Sequence, residues 1–399
     1  MQCVILAAGE GKRMRPLTAT RPKVMLPLAN RPMLEHLVLA ARDAGISEFL
    51  VVTGYMEAEI RNRFGDGDAH GVRIEYVVQR HQRGTADALL QARDWLDSDF
   101  LMMNGDMVIT PADIARILAA GPDCMAVATS DHPEDYGVVQ VEGDQVVGLQ
   151  EKSPEPRGNL VNAGLYCFTP EIFSLLERVA VSPRGELELT DALAQLIREE
   201  RLAACRLASW IDVGYPWDLL SANEQMMQDL APFIQGVLEE GVVLKGPVSV
   251  GEGSVVRAGT CIEGPCIIGR DCRIGPHAYI RGATTIGDGC HIGHATEVKN
   301  SIVLPKTNLP HFNYLGDSVV GSGCNFGAGT KVANLRHDRA EVKVRGISTK
   351  RKKLGAIVGD RVQTGINCSV NVGAVIGCGA QIGPHVLVDG YIAPGAKIR

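Results

Sequence analysis

The chain has 399 residues and a formal net charge of −6, with 45% hydrophobic and 22% charged residues. That length suits two domains of roughly 150 to 230 residues, and the acidic balance argues against nucleic acid as the main partner, because phosphate-backbone binders carry a basic excess. The opening Met1-Gln2-Cys3-Val4-Ile5-Leu6-Ala7-Ala8 has no basic residue before its apolar run and meets Gly9 and Arg13 too soon for a signal peptide. No segment approaches the roughly 20 apolar residues of a membrane span, so a soluble cytoplasmic enzyme is expected. Eleven cysteines, an odd number without a C-x-x-C pair, fit a reducing compartment and buried apolar roles rather than disulfides or zinc.

Residues 3–8 form a continuous apolar run, as a parallel strand covered on both faces requires, and lead into a glycine-rich turn. Pro32 opens a helical pattern with Leu34, Leu37, Val38 and Ala41 on one face, closed by Gly45. A strand at 49–53, a helix from about Met56, a strand at 74–78, a helix over 84–95 and a strand at 100–104 follow. This alternation predicts a Rossmann-like α/β domain with a largely parallel sheet and its ligands at the carboxyl ends of the strands.

The first of those loops is Gly9-Glu10-Gly11-Lys12-Arg13-Met14-Arg15-Pro16-Leu17-Thr18, followed by Arg21-Pro22-Lys23. Its glycines let backbone N–H groups approach phosphate and its basic residues supply charge for an anion. It is neither G-x-G-x-x-G nor a Walker A loop, and a glycine turn with solvated charges is the bland alternative. Asp106 closes a hydrophobic strand and Asp212 follows Trp210-Ile211; two carboxylates with phosphate oxygens are a usual way to hold Mg²⁺, although an Asp after a strand is more often a cap or turn former.

Leu6-Ala7-Ala8-Gly9-x-Gly11-x-Arg13-Met14-Arg15-Pro16-Leu17-Thr18, with Arg21-Pro22-Lys23 and Met25-Leu26-Pro27, resembles the sugar-1-phosphate nucleotidylyltransferases. Gln79, Gly84-Thr85-Ala86, Gly105-Asp106, Tyr136-Gly137, Glu151-Lys152, Asn162-Ala163-Gly164 and Asp212-Val213-Gly214 extend the resemblance over residues 1–225. It implies that Gly9, Gly11 and Arg13 hold a nucleoside triphosphate, that Lys23 contacts its α-phosphate region, and that Gln79, Gly84 and Thr85 read the base. Gly137, Glu151, Lys152 and Asn162 would hold the sugar phosphate, and Asp106 and Asp212 would ligate Mg²⁺.

After a connecting segment at 226–236, an aliphatic residue recurs every sixth position: Leu244, Val250, Val256, Ile262, Ile268, Ile274, Ile280, Ile286, Ile292 and Val298. At this composition ten consecutive hits would arise by chance about three times in ten thousand. Six residues make one short strand and one turn, so residues 237–399 are expected to form a left-handed parallel β-helix of hexapeptide repeats. Glycines after the aliphatic residue, as in Ile286-Gly287 and Ile292-Gly293, are expected to supply positive φ at the corners. Cys266, Cys272, Cys290, Cys324 and Cys368, four residues after a repeat aliphatic, should point inward.

The register lapses between Val298 and Val320 and again between Val332 and Val358, which suggests two excursions from the coil. The first holds Lys299 and His311-Phe312-Asn313-Tyr314-Leu315-Gly316-Asp317. A loop histidine can take the proton an amine loses on attacking a thioester, although a lone one seldom does. His-x-x-Tyr-Leu-Gly-Asp, with Lys twelve residues earlier, resembles the glucosamine-1-phosphate acetyltransferase domain of bifunctional nucleotidylyltransferase/acetyltransferases. The resemblance implies His311 as general base and Arg281, Lys299, Tyr314, Asn325 and Asn334 as amino-sugar-phosphate contacts, with acetyl-CoA as donor and a homotrimer that completes the CoA site. The second excursion, 336–353, is basic; Lys343, Arg345 and Lys352 are candidates for the phosphates of CoA or of the sugar, against the alternative of a solvated loop.

Asp212, where the bacterial bifunctional enzymes usually have Asn, and the segment from Arg15 to Pro27 fit archaeal members better and leave UTP and dTTP both open. The leading expectation is a bifunctional enzyme making UDP-N-acetylglucosamine from glucosamine-1-phosphate, acetyl-CoA and UTP. A glucose-1-phosphate thymidylyl- or uridylyltransferase whose coil only trimerises is the alternative, and a regulatory subunit without catalysis is a third class.

Overall fold

A computed structural model describes residues 1–151 and 155–399. The chain divides into two compact units: Met1–Glu10, Pro22–Met25 and Met33–Asp212 form the first, while Gly11–Arg21, Leu26–Pro32 and Val213–Arg399 form the second. Among the described residues no helix is long and apolar enough to cross a membrane.

The first unit is built on a nine-stranded sheet. The strands Arg73–Val78, Glu48–Thr53, Gln2–Ala7 and Phe100–Asn104 lie side by side in parallel. Cys3 and Ile5 of the central strand pack into one apolar cluster and Val4 into another, so both faces are covered and the run cannot alternate with polar residues. The helix Met33–Asp43 buries Leu34, Leu37, Val38 and Ala41, the predicted face. The helix expected over 84–95 is shorter: it ends at Leu90, because Gln91 and Ala92 donate to carbonyls three residues back and tighten the chain out of the α-helix. Parallel order also stops at Phe100–Asn104. Leu160–Phe168 runs antiparallel to Phe100–Asn104 and to Cys124–Thr129, and Gly137–Glu142 turns back on Gln145–Glu151 as a hairpin. A two-residue connection can join only antiparallel strands, so this half of the sheet is mixed rather than parallel.

The second unit is a three-sided coil whose strands pair in parallel with the coil above and below. Val243, Cys261, Tyr279 and Glu297 are successive partners, and cross-coil bonds such as Lys245 to Glu263 span 18 residues. The repeat aliphatics form one continuous core from Val248 to Val388, and Cys266, Cys272, Cys290, Cys324 and Cys368 are inside it.

Two sequence expectations are corrected here. The segment between Val298 and Val320 does not leave the coil: Ile302–Val303, Asn308–His311 and Tyr314–Gly316 remain in the three sheets, with Val303, Leu309 and Leu315 buried in the core. Cross-coil bonds here span 17 residues, as from Ser318 to Ser301. A corner is one residue shorter, which shifts the phase of the pattern without breaking the stack. Only the second lapse is an excursion, with a small antiparallel pair, Lys343–Val344 and Ile347–Ser348, outside the coil.

The second correction concerns glycine. Left-handed backbone falls mostly on the third residue after the aliphatic, at Asp271, Ala295, Lys306 and Phe312 among others; of the glycines directly after it, Gly275 is left-handed, with φ 88°, while Gly287 and Gly293 are not. They are glycine because the next coil lies directly on them: a Cβ on Gly293 would come 1.9 Å from the Pro310 carbonyl oxygen, and one on Gly287 2.7 Å from the Pro305 nitrogen. Gly293→Ala should therefore lower stability in urea unfolding by about 1–3 kcal/mol, the usual scale for forcing atoms into a packed interior.

Nine of the eleven free cysteines are buried, and only Cys261 and Cys378 are partly exposed. Burial pushes the Cys290 and Cys324 thiols up to about 12, so thiolate is scarce at neutral pH. A disulfide-exchange reagent should label at most Cys261 and Cys378 in the native protein and all eleven after denaturation.

Candidate functional sites

In the first unit, the strand Gln2–Ala7 leads toward Gly9 and the strand Phe100–Asn104 toward Gly105 and Asp106. Gly105 sits against Leu6, where a Cβ would come 2.8 Å from the Leu6 carbonyl oxygen. That close approach carries Asp106 to the carboxyl edge of the sheet. Trp210–Asp212 pairs antiparallel with Met107–Ile109, setting Asp212 opposite Met107 and so one position from Asp106. The two carboxylates are separated by more than a hundred positions in sequence and are neighbours in register. Lys23 is buried, and its Nζ lies 2.6 Å from Asp106 Oδ2. Two adjacent carboxylates suit Mg²⁺, which takes few protein ligands and completes its shell with water and phosphate oxygens.

Gln79 is buried and its Nε2 donates to the Gly84 carbonyl at 3.1 Å and to Asp87 Oδ2 at 2.8 Å. Gly84 itself admits no side chain, because a Cβ would lie 2.3 Å from the Leu187 carbonyl oxygen. Thr85 Oγ1 accepts from the Leu189 amide at 3.0 Å, fixing the start of the helix Leu189–Arg198. These three residues therefore form a tightly tied loop at the start of a helix.

Gly137, Glu151 and Asn162 also come together. Glu151 is the register partner of Gly137, and a Cβ on Gly137 would meet Glu151 Oε2 at 2.9 Å and Asn162 Cβ at 3.7 Å. The Asn162 side-chain oxygen Oδ1 accepts from Tyr166 Oη at 2.8 Å and from the Gly164 amide at 3.0 Å, which fixes its orientation. Burial raises the Tyr166 phenol well above its usual range, so it remains a donor. Lys152 lies outside the described residues. Arg184, not singled out from the sequence, reaches Glu151 Oε1 at 3.4 Å; its value as a partner follows from folding alone, since no motif surrounds it.

In the second unit, Gly11 is left-handed and opens the turn Lys12–Met14. Thr18 Oγ1 donates to the Gly11 carbonyl at 2.8 Å, closing the loop. The Arg13 guanidinium lies over the Tyr215 ring, 5.1 Å from its centre, and Tyr215 stacks on Trp217 at 4.8 Å. This aromatic support holds a charged group in place without neutralising it.

On one side of the coil, Arg281, Lys299 and Gly316 are successive register partners. Asp317, buried, accepts from Lys299 Nζ at 2.8 Å, Asn300 Nδ2 at 2.8 Å and Asn334 Nδ2 at 2.5 Å. Gly316 has no room for a Cβ, which would lie 2.6 Å from Asn334 Nδ2 and 2.7 Å from Tyr314 Oη. Burial, then the carboxylates of Glu297 and Asp317, raise the Tyr314 phenol, while Arg281 opposes the shift. Arg281 Nε donates to Glu297 at 2.9 Å. Two of the predicted sugar-phosphate residues, Lys299 and Asn334, thus bond one buried carboxylate whose role the sequence did not reveal, while Arg281 pairs with Glu297. His311 ends the strand Asn308–His311 just before the corner, and Tyr314 begins the strand after it. His311 is exposed. Asn325 pairs with Asn308 of that same strand, so it belongs to the His311 side.

The basic excursion is divided in its roles. Lys343 and Lys352 are exposed, and the Arg345 guanidinium lies 4.9 Å over the Tyr391 ring. Arg351, in the same basic excursion, donates to Glu224 at 2.5 Å and to Ser221 at 2.8 Å.

Residues 2–229 match the nucleotidyl transferase family model, and residues 262–398 match the model of the GMPPB C-terminal domain. A protein of Methanocaldococcus jannaschii described as bifunctional protein GlmU is 41% identical over 98% of this chain and 95% of its own. A bifunctional sugar-1-phosphate nucleotidylyltransferase/acetyltransferase of Sulfurisphaera tokodaii is 35% identical over 98% and 97%. Among solved structures, a putative glucose-1-phosphate thymidylyltransferase from Bacillus anthracis in complex with a sucrose superposes with a TM-score of 0.54 at 26% identity, covering 58% of this chain and 96% of that one. With identity of this order over almost the full length of both chains, the protein belongs to the bifunctional GlmU family of sugar-1-phosphate nucleotidylyltransferase/acetyltransferases.

Proposed function

We propose that the chain catalyses two consecutive transfers in amino-sugar nucleotide synthesis. Residues 237–399, taken as a left-handed β-helix, acetylate glucosamine-1-phosphate from acetyl-CoA. Residues 1–225 then transfer uridylyl from UTP to N-acetylglucosamine-1-phosphate and release pyrophosphate. The observation that carries the bifunctional reading is the polar cluster around Asp317, since a coil serving only assembly has no need of Lys299, Asn300 and Asn334 on one buried carboxylate. The coil's catalytic unit is taken as a homotrimer, with Lys343, Arg345 and Lys352 toward the phosphates of CoA. The likeness to the Bacillus anthracis thymidylyltransferase, over 58% of this chain, leaves dTTP as the second nucleotide to test.

In the acetyl step the sugar amine attacks the thioester carbonyl. A C–N bond forms, the C–S bond breaks, and CoA leaves as the thiol once it takes up a proton. His311 receives the proton lost by the amine, while Arg281, Lys299, Tyr314, Asn325 and Asn334 fix the sugar phosphate so that the amine is aimed. In the nucleotidyl step a phosphate oxygen of the sugar displaces pyrophosphate from the α-phosphorus. Arg13 and Lys23 offset the negative charge that repels this approach, Gly9 and Gly11 admit the triphosphate, Gln79, Gly84 and Thr85 face the base, and Gly137, Glu151, Lys152 and Asn162 orient the sugar. Asp106 and Asp212 would hold Mg²⁺, which when bound shields charge on the triphosphate.

Asp106→Asn should cut pyrophosphate release from UTP and N-acetylglucosamine-1-phosphate by at least about a hundredfold, with the melting temperature kept and thiol release from acetyl-CoA intact. His311→Ala should do the reverse, lowering glucosamine-1-phosphate-dependent thiol release by about 10²- to 10⁴-fold and leaving pyrophosphate release alone. An unchanged thiol rate in that variant would leave the coil without a base at this position, and no thiol release from the wild type would reduce the coil to assembly.

A further inference from the structure

The segment Gly11–Arg21 contains most of the nucleotidylyltransferase signature, yet it belongs to the same compact unit as the coil. Its attachment is concentrated on one side chain. Asp360, buried in the turn after the strand Ala356–Val358, accepts from Thr20 Oγ1 at 2.6 Å and forms an ion pair with Arg21 through the same carboxylate oxygen, Oδ2. Its other oxygen, Oδ1, accepts from the Ser322 amide of the neighbouring coil at 2.8 Å, and Arg21 Nη2 also donates to Ser322 Oγ at 3.2 Å. The Arg21 side chain is 17% exposed, so the pair is largely withdrawn from water.

Further contacts lie close by. Cys378 Sγ donates to the Pro16 carbonyl at 3.4 Å. At Gly359 a Cβ would come 3.0 Å from Pro16 Cβ, so the loop rests on the coil backbone with no room for a side chain between them. Pro16 and the Thr20–Arg21 pair bracket the turn Leu17–Ala19. Thr18 of that turn then closes back on Gly11. Fixing the end of the loop on Asp360 therefore fixes the conformation of the stretch carrying Gly11 and Arg13.

We infer that Asp360, a residue of the coil, is a positioning residue for nucleotide binding: it holds the signature loop through Arg21 and Thr20 in the conformation that meets the triphosphate. The inference rests on the nucleotidylyltransferase reading above. Asp360 touches no reacting atom; it acts through the loop. Charge-assisted hydrogen bonds at a partly buried carboxylate are stronger than neutral ones, and an isosteric amide at 360 would keep the shape while removing the charge.

The test uses the full-length protein and three readouts: UTP affinity by calorimetry, KM and kcat for pyrophosphate release, and glucosamine-1-phosphate-dependent thiol release from acetyl-CoA. Asp360→Asn should weaken UTP binding and raise its KM by about tenfold, the scale of one charge-assisted hydrogen bond, with kcat less affected and thiol release unchanged. Arg21→Ala should give a similar shift, and the double variant should be no worse than either single one, because both remove the same tie. UTP affinity and KM within twofold of the wild type would overturn the proposal. So would a parallel loss of thiol release, which would mean that the substitution had disturbed the coil itself. Wild-type protein that neither binds UTP nor releases pyrophosphate would refute the functional reading on which the inference depends, an outcome visible before any variant is made.

Discussion

Direct stacking of backbone on backbone in the coil is the constraint from which the rest of the second unit follows. Successive turns hydrogen-bond along three parallel sheets, so each residue has a fixed partner one coil away. Core positions must be filled by branched aliphatics or small thiols to close the interior. Corners where one backbone lies on the next exclude even a methyl group, as at Gly293 beneath Pro310. The same stacking converts sequence spacing into proximity. Arg281, Lys299 and Gly316 fall in a column because they are consecutive partners in one sheet, and the absence of a side chain on Gly316 leaves space for Tyr314 and Asn334. A site built in this way has little freedom to deform, which suits a reaction whose catalysis depends on holding an amine against a thioester.

Asp317 is the energetic centre of that column. A carboxylate withdrawn from water is costly unless its oxygens are satisfied, and removing one partner of such a pair typically costs about 3–5 kcal/mol. Here Lys299, Asn300 and Asn334 supply the partners. Asn300 also donates to Glu224, which is held in turn by Arg351 of the excursion. The chain of bonds joins the base of the basic excursion to the residues assigned to the sugar phosphate. It also accounts for the difference between Arg351 and its exposed neighbour Lys352: the arginine closes the network.

How much of this was legible in the sequence depended on the range of the interaction that decided it. The coil and its inward cysteines were readable because a period of six is local. The segment after Val298 was misread because a corner one residue shorter shifts the phase, although Val303, Leu309 and Leu315 continue the pattern once the shift is allowed. The reading of glycine held for Gly275, whose φ is positive, but at Gly287 and Gly293 the steric need comes from the next coil rather than from their own φ. In the sheet domain the strands that alternate with helices were clear, whereas the mixed half was not, because hairpin pairing at Gly137–Glu142 carries no helix to mark it. Motif residues such as Lys23, Asp106, Gly137 and Asn162 were named from resemblance. Arg184, a partner of Glu151, was not, and Asp317 stood in a motif without an assigned role, as the significance of both depends on contacts made only after folding.

The two chemistries call for different supports, and the chain provides them differently. Acetyl transfer is assigned to side chains projecting from a stack that is rigid by construction. Nucleotidyl transfer is assigned to loops at the ends of strands, where backbone amides must meet a flexible triphosphate and where glycine leaves the main chain free to move. Such a loop gains precision only if something else restrains it. Gly11 is closed by Thr18, Arg13 is supported on Tyr215 and Tyr215 on Trp217, and Lys23 is held by Asp106. Each tie removes conformations that the loop would otherwise lose on binding nucleotide, so part of the entropy cost is met during folding rather than at the binding step. Fixing the far end of the loop to Asp360 applies the same logic with the coil as anchor. On this reading the coil serves both reactions, as the site of one and the frame of the other.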